Sequence, residues 1–204
     1  HGNGRVLQRV VASDGADEFS WRVFALAGLA PTGALAPADM PAQRLLRFAG
    51  LLSLKPRSAA AVAAVLATYF AGLSVRIRQC VPRWVYLDQA RRSKLGRQAC
   101  RLGADATIGR RVPDVSGKFR VVIGPVDFET YCRFLPGRDD ARDVCRLARL
   151  AAGDWLDFDT EVILQGADTP RLGTTLAGSS QLGWTTGLFS KPGDDLPVIF
   201  AGAE

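Results

Sequence analysis

Apolar and polar positions along the 204-residue chain change period along its length, and the changes divide it. Residues 19–29, FSWRVFALAGL, have Phe19, Val23 and Leu26 at helical spacing and predict a short amphipathic helix. Residues 30–41 hold three prolines and no period, so they read as a connector. A helix is expected from Asp39, a suitable N-cap, with Pro41 in its first turn and Leu45, Phe48, Ala49 and Leu52 as its apolar stripe. Lys55-Pro56 stops it. Ser58 then caps a helix over 59–70, AAAVAAVLATYF, which ends at Gly72. That helix is apolar all round. It reads either as the central helix of the domain or as one shared with another subunit.

After Gly72 the period drops from 3.6 to 2. Val75, Ile77 and Gln79 alternate with Arg76 and Arg78 in a first strand, and 83–87, RWVYL, reads as a second. Ala106–Val112 is a predicted strand. Lys118–Ile123 is a clearer one, with Phe119, Val121 and Ile123 inward and Lys118 and Arg120 outward. Gly124-Pro125 is expected to turn the chain into a helix over 127–135, closed by Pro136-Gly137. A helix over 139–151 follows, with Val144, Leu147, Ala148 and Ala151 inside and Arg142, Arg146 and Arg149 outside. Residues 156–165 alternate Phe158, Thr160, Val162 and Leu164 with Asp157, Asp159 and Glu161. A Gly/Thr/Ser loop (166–180) precedes closing strands at 182–189 and 196–201. The expected fold is therefore α+β: N-terminal helices, then a largely antiparallel sheet with two short helices packed on it. Residues 1–40 form an N-terminal helix and connector. Residues 41–204 form one domain, helical to residue 72 and sheet-containing from 73.

Length and composition narrow the chemistry. A chain this long buries enough surface to need no staple, and 48% hydrophobic residues is ordinary for a globular domain. No apolar run reaches the ~18 residues of a membrane span; the longest, Ala59 to Leu73, is rich in alanine and too short. His1 is the only histidine, so neither a Ser-His-Asp nor a Cys-His arrangement is expected. The opening HGNGRVLQRVV resembles neither a signal peptide nor a domain start, and the chain reads as a fragment of something longer. Cys80, Cys100, Cys132 and Cys145 lack zinc-site spacing and are expected as small buried apolar residues. GADATIGRR (103–111) has the wrong glycine spacing for a phosphate loop.

Two charged stretches invite a sharper reading. Asp157, Asp159 and Glu161 share one strand face and suggest acid/base or metal chemistry; the favoured reading is a solvated face neutralised by Arg142, Arg146 and Arg149. The net charge of +6 is concentrated in part at Arg91, Arg92, Lys94, Arg97 and Arg101. This 91–101 segment supports an alternative function as a nucleic-acid-binding module, although no interleaved aromatics accompany it. Trp84, Tyr86, Trp155 and Trp184 can anchor a partner, but as strand aromatics they are expected to pack inward.

The order of motifs carries a resemblance. LGADATIGRRVPDVSGKFRVVIGPVDFETYCRFLPG (102–137), LDFDTEVIL (156–164) and LGWTTGLF (182–189) resemble the C-terminal part of the TssG family, also called ImpH or VasB. AGLLSLKPRSAAAVAAVLATYFAGLSVRIRQCVPRW (49–84) resembles the family's two helices and following strand. The likeness covers nearly all of 17–200. It lacks the family's N-terminal region, and Pro113 and Phe189 depart from its usual residues.

The resemblance implies a non-enzymatic, cofactor-free subunit of the bacterial type VI secretion baseplate. Such proteins join two copies of TssF in a wedge, to which TssK and TssE add. The wedges lie in the cytoplasm, docked on the inner-membrane complex, with no direct membrane insertion and no nucleic-acid partner. Structural weight is expected at Gly124, Pro125, Pro136, Gly137, Gly183 and Trp184. Partner contact is expected at the 59–70 helix, with Val62, Leu66 and Tyr69, and at loops 89–103 and 166–180.

Overall fold

The computed structural model describes residues 22, 47–53, 58–153, 155–166, 184 and 195–201. The Asp39 cap, Pro41, Leu45, the Lys55-Pro56 stop, the 30–41 connector, most of the 166–180 loop and the 182–189 strand, including Gly183 but not Trp184, lie outside the described residues. Of the 19–29 helix only Arg22 is described, and it is helical.

Helix α1 (Ala49–Ser53) buries Leu52, with Phe48 buried just before it. Helix α2 (Ala59–Tyr69) starts where expected: Ser58 Oγ accepts from the Ala61 amide at 3.1 Å. It ends as Gly72 adopts φ +92°. Val62, Val65 and Leu66 are buried, whereas Ala60, Ala64 and Thr68 are exposed. The helix is thus covered on one side only. Its all-round apolarity comes from alanine, whose small side chain loses little by facing water.

A four-stranded sheet, ordered β1-β4-β5-β6, forms from β1 (Val75–Arg78), β4 (Lys118–Val126), β5 (Asp157–Leu164) and β6 (Leu196–Ala201). The outer pairs are antiparallel and the central β4–β5 pair is parallel. Parallel strands need a crossover. Helices α3 (Phe128–Arg133) and α4 (Asp139–Ala152) provide it. Asp127 caps α3 through the Thr130 amide at 3.2 Å. Val144, Leu147, Ala148 and Ala151 of α4 are buried, as their spacing predicts, in one core with Leu52, Leu66, Val121, Val162 and Phe200. The other two strands, β2 (Arg83–Tyr86) and β3 (Arg111–Asp114), pair with each other as an antiparallel ribbon. β3 begins later than the predicted 106–112 strand because Gly109, at φ +103°, breaks the extended backbone.

Gly124-Pro125 does not turn the chain out of the sheet. The pair, joined by a cis peptide, lies inside β4, which continues to Val126. Ile123 pairs with Val162 and Val126 with Leu164, so β4 carries one extra residue, a bulge. Gly124 has φ +115°, and a Cβ there would stand 2.6 Å from the Ile163 carbonyl oxygen. Both constraints require glycine. Gly124→Ala is expected to destabilise the fold by about 2–4 kcal/mol. Urea unfolding with an unchanged slope and a lower midpoint would show it; an unchanged midpoint would refute the constraint.

Candidate interaction surface

The β2–β3 ribbon extends into an arm over residues 87–110. Trp84, Tyr86, Arg111 and Pro113 share its outer face through the register Trp84↔Pro113 and Tyr86↔Arg111. All four are exposed. The Arg111 guanidinium stands 4.4 Å above the Tyr86 ring centre, a cation–π contact. Trp84 therefore does not pack inward, because no second layer among the described residues covers this face of the ribbon, and Trp155 is likewise exposed, beside Gly153. Trp184 is part-way out: Tyr131 Oη donates to its carbonyl and its ring stands edge-on to Phe200 at 6.1 Å. Burial of Tyr131 raises its hydroxyl to about 12, so it remains a donor there.

Further along the arm, Leu95, Leu102 and Ile108 are 100%, 93% and 95% exposed. Three large aliphatic side chains this bare on one protrusion are unusual for a surface meant for water. The arm is nevertheless internally ordered. Leu87 N donates to Arg110 O at 2.9 Å, Lys94 N to Gln98 O at 2.8 Å, Thr107 N to Ser93 Oγ at 2.9 Å and Arg101 N to Asp105 Oδ1 at 2.8 Å. A 3-10 turn spans Gln89–Arg91, and Arg92 Nε donates to Leu87 O at 3.0 Å. The basic 91–101 segment thus sets exposed aliphatics beside the exposed cations Arg91, Lys94, Arg97 and Arg101.

Of the three β5 carboxylates only Asp157 is exposed to solvent, as expected; the other two are buried. Asp159 and Glu161 are 3% and 5% exposed. Their partners come from neighbouring strands, not from α4: Arg120 Nε and Nη2 lie 2.6 and 2.8 Å from Asp159, and Arg120 Nη1 lies 3.1 Å from Glu161. Lys118 Nζ reaches Asp159 at 2.9 Å and Arg78 Nη1 reaches Glu161 at 3.1 Å. Arg142 and Arg146 instead pair within α4, with Asp139 and Asp143. Burial opposes the charge on Asp159, but the Arg120 and Lys118 bonds outweigh it and hold the carboxyl below its ordinary 3.8. A depressed carboxyl stabilises the fold above its unfolded value and stops doing so as acid protonates it. Stability is therefore expected to fall as pH drops below about 4, more shallowly in Asp159→Asn; urea titrations across pH 2–7 check this.

Gly124, Pro125, Pro136 and Gly137 fall at the bulge and after α3, with Gly137 at φ +87°. Val62 and Leu66 are buried within the core, and Tyr69 is half-buried with its hydroxyl 2.6 Å from Asp143. These three are not brought together with the arm. The cysteines depart from expectation: Cys80 and Cys100 are exposed, on a bend and on the arm, and Cys132 and Cys145 are half-buried. Among the described residues no three His, Cys, Asp or Glu side chains converge as metal ligands, and no helix is long and apolar enough to cross a membrane.

A family model described as "Type VI secretion, TssG" matches residues 7–188. The chain belongs to the TssG family. Among solved structures, a chain of a "TssK-TssF-TssG baseplate subcomplex" is similar to this TssG-family chain at TM-score 0.74 and 20% identity, covering 98% of this chain and 86% of that one. A chain of "the baseplate complex from the type VI secretion system" is similar at TM-score 0.59 and 22% identity, covering 92% and 53%. At these identities the likeness establishes the fold. Comparison with curated proteins gives no match. The feature of this TssG-family chain that sequence reasoning missed is the trio Leu95, Leu102 and Ile108. Its one sequence signal is aliphatics set singly among arginine and glycine without a period.

Proposed function

We propose that the chain is a structural subunit of the type VI secretion baseplate, working by contact and not by catalysis. It binds TssF, two copies to a wedge, and helps to recruit TssK and TssE for assembly of the contractile tail. Its place is cytoplasmic, at the baseplate docked on the inner membrane. The observation that carries this reading is the arm, an ordered protrusion with bare aliphatics on a chain whose family is TssG. The buried carboxylates support it from the other side. Asp159 and Glu161 are already engaged by three basic side chains, which leaves neither free for acid/base work. Loops 89–103 and 166–180 and the α2 helix are the proposed contact regions; on α2 the exposed Ala60, Ala64 and Thr68 offer the contact, with Val62 and Leu66 supporting them from the core.

Co-expression with TssF- and TssK-like proteins followed by size-exclusion chromatography tests the function. Co-elution of the folded chain with them is the expected result. Separate elution of all components would overturn it.

A further inference from the structure

One guanidinium bridges the ribbon and the four-stranded sheet where they meet. Arg83 Nε lies 2.9 Å from Asp114 Oδ2, directly opposite across the ribbon, and Arg83 Nη1 reaches Asp157 at the start of β5. The side chain thus touches one carboxylate in each sheet. Asp114 is set in place by the Ser116 hydroxyl and amide at 2.7 and 3.0 Å. Those bonds first, and Arg83 after them, hold its carboxyl down to about 2. Gly117 leaves the room: a Cβ there would fall 2.0 Å from Arg83 Nη2, while the Gly117 carbonyl accepts from the Asp157 amide at 2.9 Å. Backbone continuity reinforces the junction, since Val81 N donates to Lys118 O at 2.9 Å.

We propose that Arg83 is the positioning residue that fixes the angle of the ribbon and its arm to the four-stranded sheet. A planar guanidinium with forked donors can bridge two carboxylates from different sheets in one geometry, which an ammonium cannot. Because the junction is partly exposed, its ion pairs add little to global stability. Their effect is on direction. An arm held at one angle loses less freedom when a partner closes on Leu95, Leu102 and Ile108. This last consequence rests on the baseplate reading; the positioning itself does not.

Electron-resonance distances between labels at Ala64→Cys on α2 and Ala104→Cys on the arm, with the four native cysteines changed to alanine, test it on the chain alone. Arg83→Met removes the bridge, and Asp157→Asn removes only the link to the sheet while sparing the ribbon's own pair. Both are expected to widen the distance distribution about twofold while the melting temperature moves by less than about 3 °C. Arg83→Lys is expected to leave the melting temperature near that of wild type without recovering the narrow distribution. In unlabelled protein, capture by a TssF–TssK preparation weakens roughly five- to tenfold in Arg83→Met. An unchanged distribution in both Arg83→Met and Asp157→Asn overturns the positioning role. A widened distribution with undiminished capture overturns its link to assembly. Wild-type chain that captures nothing refutes the baseplate reading, and the distances still decide the role of Arg83.

Discussion

Arg120→Met lowers the melting temperature by about 6–12 °C in the expected result. Among the described residues, Arg120 is the one side chain that touches both buried carboxylates of β5. Removing one partner from a buried ion pair costs about 3–5 kcal/mol, because the charge left behind has lost its water and its counterion. Here the lower end applies, since Lys118 still reaches Asp159 and Arg78 still reaches Glu161. For a chain of this length, about 3 kcal/mol corresponds to roughly 6–12 °C. Two comparisons separate this cause from loss of packing. Arg142→Met, at an exposed helical pair, should move the midpoint by no more than ~2 °C. Adding Asp159→Asn and Glu161→Gln to Arg120→Met should recover part of the loss, because neutral amides cost less to leave without a cation than carboxylates do. A drop below ~2 °C for Arg120→Met, measured by scanning calorimetry, would show that these carboxylates are not isolated from water as the geometry indicates.

The second large effect belongs to assembly. Leu95→Ser, Leu102→Ser and Ile108→Ser together are expected to weaken binding to a TssF–TssK preparation by roughly 30-fold or more, the scale of removing one buried hot spot. The three side chains are almost wholly exposed in the free chain, so they contribute little to its folding. The melting temperature of the triple variant should therefore stay within about 2 °C of wild type. This split is the signature of a surface whose apolar groups are buried only in the complex. Lost binding with a collapsed melting temperature would place the residues in the fold, and retained binding would place the interface elsewhere.

The strands and the crossover helices were legible because one residue type dominates each face. Val121 and Ile123 of β4 and Val144, Leu147 and Ala151 of α4 repeat at periods of 2 and 3.6 and lie in the core, as their spacing predicts. The Gly124 bulge was not legible as such. Glycine followed by proline signals a break in either a turn or a bulge, and only the neighbouring Ile163 carbonyl decides between them. Asp159 and Glu161 of β5 were misread for a related reason. A polar strand face usually means water, but Arg78, Arg120, Asp159 and Glu161 fall side by side only once the β1-β4-β5 register is known. Opposite charges on neighbouring strands at matching parity were the available signal. For Trp84 and Tyr86 the missing information was topological. Their alternation is that of any half-buried strand, yet among the described residues no layer covers that side of the ribbon they belong to.

Amide hydrogen exchange on the chain alone and in complex with TssF and TssK shows whether the arm is the surface that assembly buries. Exchange in residues 87–110 is expected to slow at least tenfold on complex formation. The already bonded amides of α4 and β5 are expected to change much less. A stable complex in which 87–110 exchanges as fast as in the free chain would contradict the account, because the arm would then be a surface that the assembly does not use.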